Sequence, residues 1–272
     1  MFSSSSGPRD DVDVNVPSAA RAYDYFLGGA NSFAVDRAFA HRVLEIAPSV
    51  PAVTKLNRSF LRRVVEFCVG RGVRQFLDLG SGIPTVGNVH EVAGQVARGC
   101  RVVYVDHEPV ACAYARQLLA GDPFATIVQA DIREPARVLG HPETRRLIDF
   151  SEPVALLMVG VLLFLSDEDR PGDLVATYRR RLAPGSLLAI SHIADEHAAP
   201  GLRAEVARLV DAYAATEDRV HVRTREEVLG WFDGTSLVEP GLVFLPDWRP
   251  DSPAERESPA RPLGYGGVAR VE

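Results

Sequence analysis

Lysine is almost missing from this chain: Lys55 stands alone among 30 basic residues, and the rest are arginine. The skew fits the coding bias of a GC-rich genome and carries no mechanistic weight. Positive charge is in deficit as well, with 36 acidic against 30 basic side chains and a formal net charge of -6. That balance argues against general nucleic-acid binding, which needs a surface matched to phosphates. Cysteine is scarce. Cys68, Cys100 and Cys112 are odd in number and lack Cys-x-x-Cys spacing, so neither a disulfide framework nor a zinc site is expected, and no metal is assigned. Long hydrophobic runs are absent too, since the longest, residues 154–165, is too short to span a bilayer. The Ser-rich, acidic N-terminus has no apolar core of the kind a signal peptide needs. These absences point to a cytoplasmic protein with no membrane association. No internal repeat is found.

What is present is a chain of 272 residues, 46% hydrophobic, enough for one α/β domain with additions or for two small domains. Residues 1–16 carry too little apolar surface to offset ordering entropy and are expected to be a disordered lead. Helices are predicted over 18–27, capped by Ser18 and ended by Gly28-Gly29, then over 36–46 and 53–69. Together they form an N-terminal helical cap, residues 17–70. From residue 73 strand and helix patterns alternate, with strands at 75–79, 101–105, 125–129, 154–161 and 186–191. The run at 154–161 is apolar on both faces, as a central parallel strand must be. Such alternation predicts a Rossmann-like, doubly wound α/β sheet. A long amphipathic helix is predicted over 202–215, as a lid or as cover for a sheet edge. Thr224 and Glu227 make a capping box. Strand patterns at 237–245 and 266–271 follow with no helix between them, which implies an antiparallel final strand. The main domain is thus 71–272, with a core at 73–195 and a C-terminal part at 196–272.

The chain is organised around residues 75–85, where a buried strand breaks into Gly80-Ser81-Gly82 and exposes main chain to a ligand. An acid at the end of the next strand, Asp106, is suited to a ribose diol. A third acid, Asp131, follows the third strand and can accept from an adenine amine. A dinucleotide turn would place a third glycine where this chain has Thr85, after Pro84. The pattern therefore suits an adenosine ligand without a diphosphate. Ser81 is a turn residue, since the flanks of a nucleophile elbow are missing. His90 and Glu91 read as packing and capping residues of the helix after the turn.

The order and intervals of Asp78-Leu79-Gly80-Ser81-Gly82, Asp106 and Ala130-Asp131-Ile132 resemble those of class I S-adenosylmethionine-dependent methyltransferases. More narrowly, the chain resembles the actinomycete-type S-adenosyl methyltransferase family, formerly a domain of unknown function. The matching segments are 21–29, 78–85, 88–93, 103–106 and 248–251. The resemblance implies a seven-stranded sheet with an antiparallel last strand and S-adenosyl-L-methionine as cofactor. It implies that Gly80, Ser81 and Gly82 approach the methionine portion, Asp78 places its ammonium and Asp106 binds the ribose. By the same resemblance His107 lies against the adenine, Asp131 and Ile132 fix its edge, and Arg21, Tyr23 and Gly29 contact the cofactor from a closing N-terminal segment.

Methyl transfer is an in-line displacement that depends mainly on alignment, with a base needed only if the acceptor loses a proton. Tyr23, Tyr25, Phe26 and Phe33 are candidates for cation–π contact with a sulfonium. No catalytic residue is assigned; His192, at the end of the fifth strand, and Tyr25 are the candidates. Two positions depart from the family pattern: Ala30, where a Lys or similar polar residue is usual, and Leu163, where a His often stands. They leave open a non-catalytic S-adenosylmethionine-binding protein, and a nicotinamide-dependent oxidoreductase is the rival enzyme. The expected acceptor is a small molecule.

Overall fold

The computed structural model describes residues 15–84 and 87–272. The lead expected over residues 1–16 lies outside the described residues up to residue 14, as do Thr85 and Val86.

Three helices open the chain: α1 (Ala19–Phe26), α2 (Ala34–Ile46) and α3 (Val50–Gly70). Ser18 caps α1 as expected, its hydroxyl accepting from the Arg21 amide. Helix α3 begins earlier than its apolar pattern suggested, because Pro51 occupies the first turn, where no intrahelical donor is needed. Then follow β1 (Gln75–Leu79), α4 (Val89–Val96), β2 (Arg101–Asp106), α5 (Pro109–Leu118) and β3 (Ala125–Gln129). Two short helices, α6 (Pro135–Gly140) and α7 (Pro142–Leu147), lead to β4 (Ala155–Val159). This strand stops short of residue 161 because Gly160 turns the chain at a φ of +70°. Helix α8 (Pro171–Arg179), β5 (Leu187–Ile193), α9 (Pro200–Tyr213) and α10 (Arg225–Gly230) come next. The chain ends in β6 (Ser236–Leu237), β7 (Val243–Phe244) and β8 (Gly264–Arg270).

The strands form one sheet in the order β3-β2-β1-β4-β5-β8-β6, with β7 also on β8. Neighbours from β3 through β5 pair in parallel, and β8 pairs antiparallel with β5. This is the expected doubly wound sheet with an antiparallel last strand. Its seventh place, expected as a single strand over 237–245, is shared by β6 and β7. Both run antiparallel to β8, and a turn in which Gly241 donates to the Val238 carbonyl separates them.

Side chains alternate between two buried layers, as period-2 strands require. On one face, Phe76, Val102, Leu157 and Val268 pack beneath Phe60, Val64 and Cys68 of α3. On the other, Leu77, Val103, Met158 and Ile190 meet Tyr178 of α8 and Trp231 after α10. Helix α3 sits so close to β8 that a Cβ on Gly266 would lie 2.7 Å from the Phe60 ring. Helices α1 and α2 form a third apolar cluster with α9, built on Phe26, Phe39, Val43, Leu209 and Tyr213. The helix expected over 202–215 is therefore a partner of the N-terminal helices. All three cysteines are free and buried. Among the described residues no helix is long and apolar enough to cross a membrane.

An ion triad fastens α1 to the sheet. Arg21 Nε donates to Asp36 at 2.8 Å, Nη1 to Glu108 at 2.7 Å and Nη2 to the Val16 carbonyl at 2.6 Å. The side chains of Arg21 and Asp36 are 3% and 0% exposed, so each charge depends on its partners. Arg21→Ala leaves two buried carboxylates uncompensated and is expected to cost about 3–5 kcal/mol in urea unfolding. An Arg21→Ala protein within about 1 kcal/mol of wild type, the size of an exposed ion pair, would show that the triad does not hold the helices down.

Candidate active site

In an open parallel sheet, ligands bind at the strand C-termini where the strand order reverses. Here that point lies between β1 and β4, the adjacent strands from which the sheet grows in opposite directions. Strand β1 feeds straight into the glycine turn. The amides of Gly80 and Ser81 both donate to the Val105 carbonyl, at 2.8 and 3.1 Å. Gly80 has a φ of +72°, and a Cβ there would fall 2.1 Å from Val161 Cγ2, so the turn is pressed against the loop after β4. Gly82, at φ +64°, is the opposite case: a Cβ would meet nothing within 4 Å. Its open side belongs to a pocket of about 870 Å³, mouth included, lined by Tyr23, Asp78, Gly80, Ser81, Gly82, Asp106 and His107 among others.

Buried carboxylates floor this pocket. Asp106 accepts from the Gly82 amide at 2.7 Å and from the Glu108 amide at 2.9 Å, which locks the acid of β2 to the turn of β1. Burial nonetheless raises its pKa above the usual carboxylate range. Burial also pushes Asp78 up to about 7; the Arg58 charge opposes the shift and the Asp106 charge adds to it. A buried carboxyl poised near neutrality, facing space, is arranged to receive a cation.

The N-terminal helices wall the same space. Ser18, Ala19, Ala20 and Tyr23 of the α1 region face Asp218, which accepts from the Ala19 amide at 2.8 Å. His107 stands at the rim with its side chain 63% exposed, 3.8 Å from Asp106 and 4.0 Å from Asp218.

A second pocket, of about 680 Å³, adjoins the first, and Tyr23, Asn57, Gly160, Phe164 and Tyr213 line both. At this junction Asn57 Nδ2 donates to Tyr23 Oη at 3.1 Å, while Asn57 Oδ1 accepts from Ser191 Oγ at 2.6 Å. A Cβ on Gly160 would lie 2.9 Å from Asn57 Nδ2, so glycine is what admits the amide there.

Of the residues singled out from sequence, Tyr23, Asp78, Gly80, Ser81, Gly82, Asp106 and His107 converge on the first pocket. His192 lines the second. Its Nδ1 lies 2.8 Å from the Ile193 carbonyl, its ring packs on Trp231 at 5.3 Å, and burial lowers its pKa to about 4. The remaining candidates, Phe26 apart, lie outside both linings. Arg21 is spent in the ion triad, and Gly29 is pinned against Asp24, whose carboxylate would lie 2.2 Å from a Cβ. Asp131 is gripped by Arg133, with Nη2 to Oδ2 at 2.6 Å. Although burial raises its pKa, those bonds hold it below the usual carboxylate range. Ile132 is buried in the apolar layer of the sheet. Tyr25 turns away to His41, with Oη 2.6 Å from Nε2. Phe26 lines the second pocket, whereas Phe33 lies under the Arg21 guanidinium at 5.1 Å. His90 meets Tyr104 Oη, and Glu91 accepts from the Asn88 amide as a cap.

Asn57, Arg58, Glu108, Tyr213 and Asp218 join the first pocket without any sequence motif to mark them. The one available signal was helical spacing, since 50, 53, 54, 57 and 61 form an α3 stripe distinct from the core stripe at 56, 60, 64 and 68.

The first pocket fits an adenosine ligand with a cationic tail. Ser81 Oγ and Arg58 Nε are buried without a hydrogen-bond partner in the protein, Gly82 leaves its side open, and the acids supply acceptors. The comparisons agree. The family model described as S-adenosyl methyltransferase matches residues 5–272. A structure from Thermobifida fusca YX, described provisionally as a methyltransferase, is 40% identical over 97% of this chain and 98% of its own, with a TM-score of 0.90. A DUF574 family protein from Streptomyces avermitilis MA-4680 is 36% identical over 96% of this chain and 100% of its own, also with a TM-score of 0.90. No curated protein matches. The nicotinamide-dependent and non-catalytic alternatives give way to this family assignment. The chain belongs to the S-adenosyl methyltransferase family, an enzyme family with S-adenosyl-L-methionine as its cofactor.

Proposed function

We propose that this methyltransferase modifies a small molecule held in the second pocket, with the cofactor held in the first. The observation that carries this reading is the junction: five residues line both pockets, so an acceptor in one is adjacent to a ligand in the other. Enclosure by α1, α3 and α9 favours a small acceptor over a folded protein or a nucleic acid, which need an open surface. A cytoplasmic location belongs to the same reading.

When bound, S-adenosyl-L-methionine supplies an electrophilic methyl group on a sulfonium, whose transfer leaves a neutral thioether. The chain supplies alignment, a large contribution to such a displacement. Gly80 and Gly82 bring main chain close to the methionine portion, and Ser81 Oγ adds a free donor. Asp78 takes the ammonium, Asp106 the ribose hydroxyls and His107 the adenine face. Tyr23 closes the pocket from above. Arg21 acts through Glu108 and Asp36, positioning that wall, and Gly29 shapes the turn that follows α1. No general base is assigned. His192 is held neutral, and Tyr25 faces His41, away from both pockets.

Two measurements follow. Asp78 has a pKa of about 7 in the free protein, and a bound ammonium favours its ionised form. Binding of S-adenosylhomocysteine should therefore release a proton, and affinity should rise with pH up to about 7 and level off above it, by up to about tenfold per unit. Asp78→Asn should weaken binding and flatten the profile; a wild-type affinity independent of pH between 5 and 8 would remove Asp78 from the ammonium site. Incubating the enzyme with methyl-labelled cofactor and a cell extract should place label in the low-molecular-weight fraction. Label confined to precipitated protein or nucleic acid would overturn the small-acceptor reading.

A further inference from the structure

We propose that the second pocket selects a neutral, predominantly apolar acceptor and orients its single polar, methyl-receiving atom at the Tyr23–Asn57 pair. The proposal rests on the small-acceptor reading above and adds the chemical class of the molecule.

The lining carries no Asp, Glu, Lys or Arg. Its walls are Phe26 of α1, Val53 of α3, Leu163 after β4, Leu209 of α9, Val220 and Leu263. Its character matches small-molecule sites, which are apolar with a few placed polar groups.

Most polar groups in the lining are already committed. Thr54 Oγ1 donates to the Val50 carbonyl at 2.7 Å, Ser191 Oγ to Asn57 Oδ1, and His192 Nδ1 faces the Ile193 carbonyl. His192 Nε2 is buried without a partner, and at the junction Asn57 and Tyr23 retain capacity. Asn57 Nδ2 has two hydrogens and uses one on Tyr23 Oη, and the Tyr23 hydroxyl reaches only the Thr54 carbonyl, at a long 3.4 Å. Both residues also line the cofactor pocket. Tyr23 and Asn57 thus form a polar pole where the two pockets meet.

A charged acceptor would be buried there without a partner, which proteins avoid. A wholly apolar one would leave the pole unpaired and give it no orientation. A molecule with an apolar body and one hydroxyl or amine end satisfies both constraints. That end faces the cofactor pocket, where its lone pair forms the new bond to carbon as the carbon–sulfur pair stays on sulfur. A proton carried by the receiving atom leaves to water through the mouth of the first pocket.

Two probes that differ by one sulfonate test this class: N-phenyl-1-naphthylamine, which is neutral, and 1-anilinonaphthalene-8-sulfonate. Both are titrated by fluorescence into enzyme saturated with S-adenosylhomocysteine, whose own binding is read by calorimetry. The neutral probe should bind about tenfold or more tightly than the sulfonate. Leu163→Trp, which fills the chamber, should weaken it about tenfold while S-adenosylhomocysteine affinity stays within about twofold. Leu163→Arg should reverse the order of the two probes. Equal or tighter sulfonate binding to the wild type would overturn the acceptor class, as would a neutral probe indifferent to both substitutions. Failure of S-adenosylhomocysteine to bind would instead strike the two-pocket reading itself.

Discussion

The structure depends on the burial of one guanidinium. Arg21 lies almost out of water between Asp36 and Glu108, and neither carboxylate is free to leave it. Asp36 also accepts from the amides of Ser18 and Phe33, so it anchors the approach to α1 and the start of α2 together. Glu108 uses its second oxygen on the Ala111 amide at the start of α5. A buried charge is tolerated only while its hydrogen bonds are complete, so the two helices and the end of β2 have one mutual placement. The chain of contacts continues, since the Glu108 amide donates to Asp106, and Asp106 accepts from Gly82. The N-terminal helices are thereby wired to the glycine turn through consecutive hydrogen bonds rather than through loose apolar packing.

That placement explains why α1 and α3 can serve two pockets at once. Helix α3 turns one stripe to the sheet, with Phe60 and Val64, and another to the ligand space, with Val50, Val53, Thr54, Asn57 and Leu61. Helix α9 completes the enclosure. Tyr213 packs edge-on against Phe39 at 4.9 Å and lines both pockets. A helix that begins 130 residues after the end of α3 thus shares its walls because the apolar cluster of α1, α2 and α9 draws it there.

The sheet was legible because its signals are local. Strands β1 and β3 match their expected bounds, and the strand at 154–161 overran only because Gly160 is compatible with an apolar run yet breaks the extended backbone. The glycine turn and Asp106 were legible for the same reason: a strand end, a turn and an acid one crossover later form a short-range pattern. The rest of the pocket is not written that way. Arg58 and Asn57 look like ordinary polar positions of a surface helix until the fold lays α3 across β4 and β5. Asp218 reads as loop charge until it meets the Ala19 amide. The opposite failure is Tyr25, conspicuous near Tyr23 yet turned to His41, because residues two apart in a helix point about 200° apart and only one of them can face the pocket.

The two pockets also divide the chemistry by charge. Around the first pocket, Asp78, Asp106 and Glu108 all have pKa values raised by burial, opposed at Asp78 by the Arg58 charge and at Glu108 by the Arg21 charge. That cost is tolerable where a cationic ligand with many donors is to be received. On the other side the walls are hydrocarbon, and a charge would have nothing to pair with. The boundary between such media must be polar enough to face the first and neutral enough to face the second. A carboxylate at position 57 would be driven toward protonation by the same burial that raises Asp78, and a lysine would have no acceptor on the apolar side. An amide meets both demands. It donates on one side to Tyr23 and accepts on the other from Ser191, and it keeps that orientation whatever the pH.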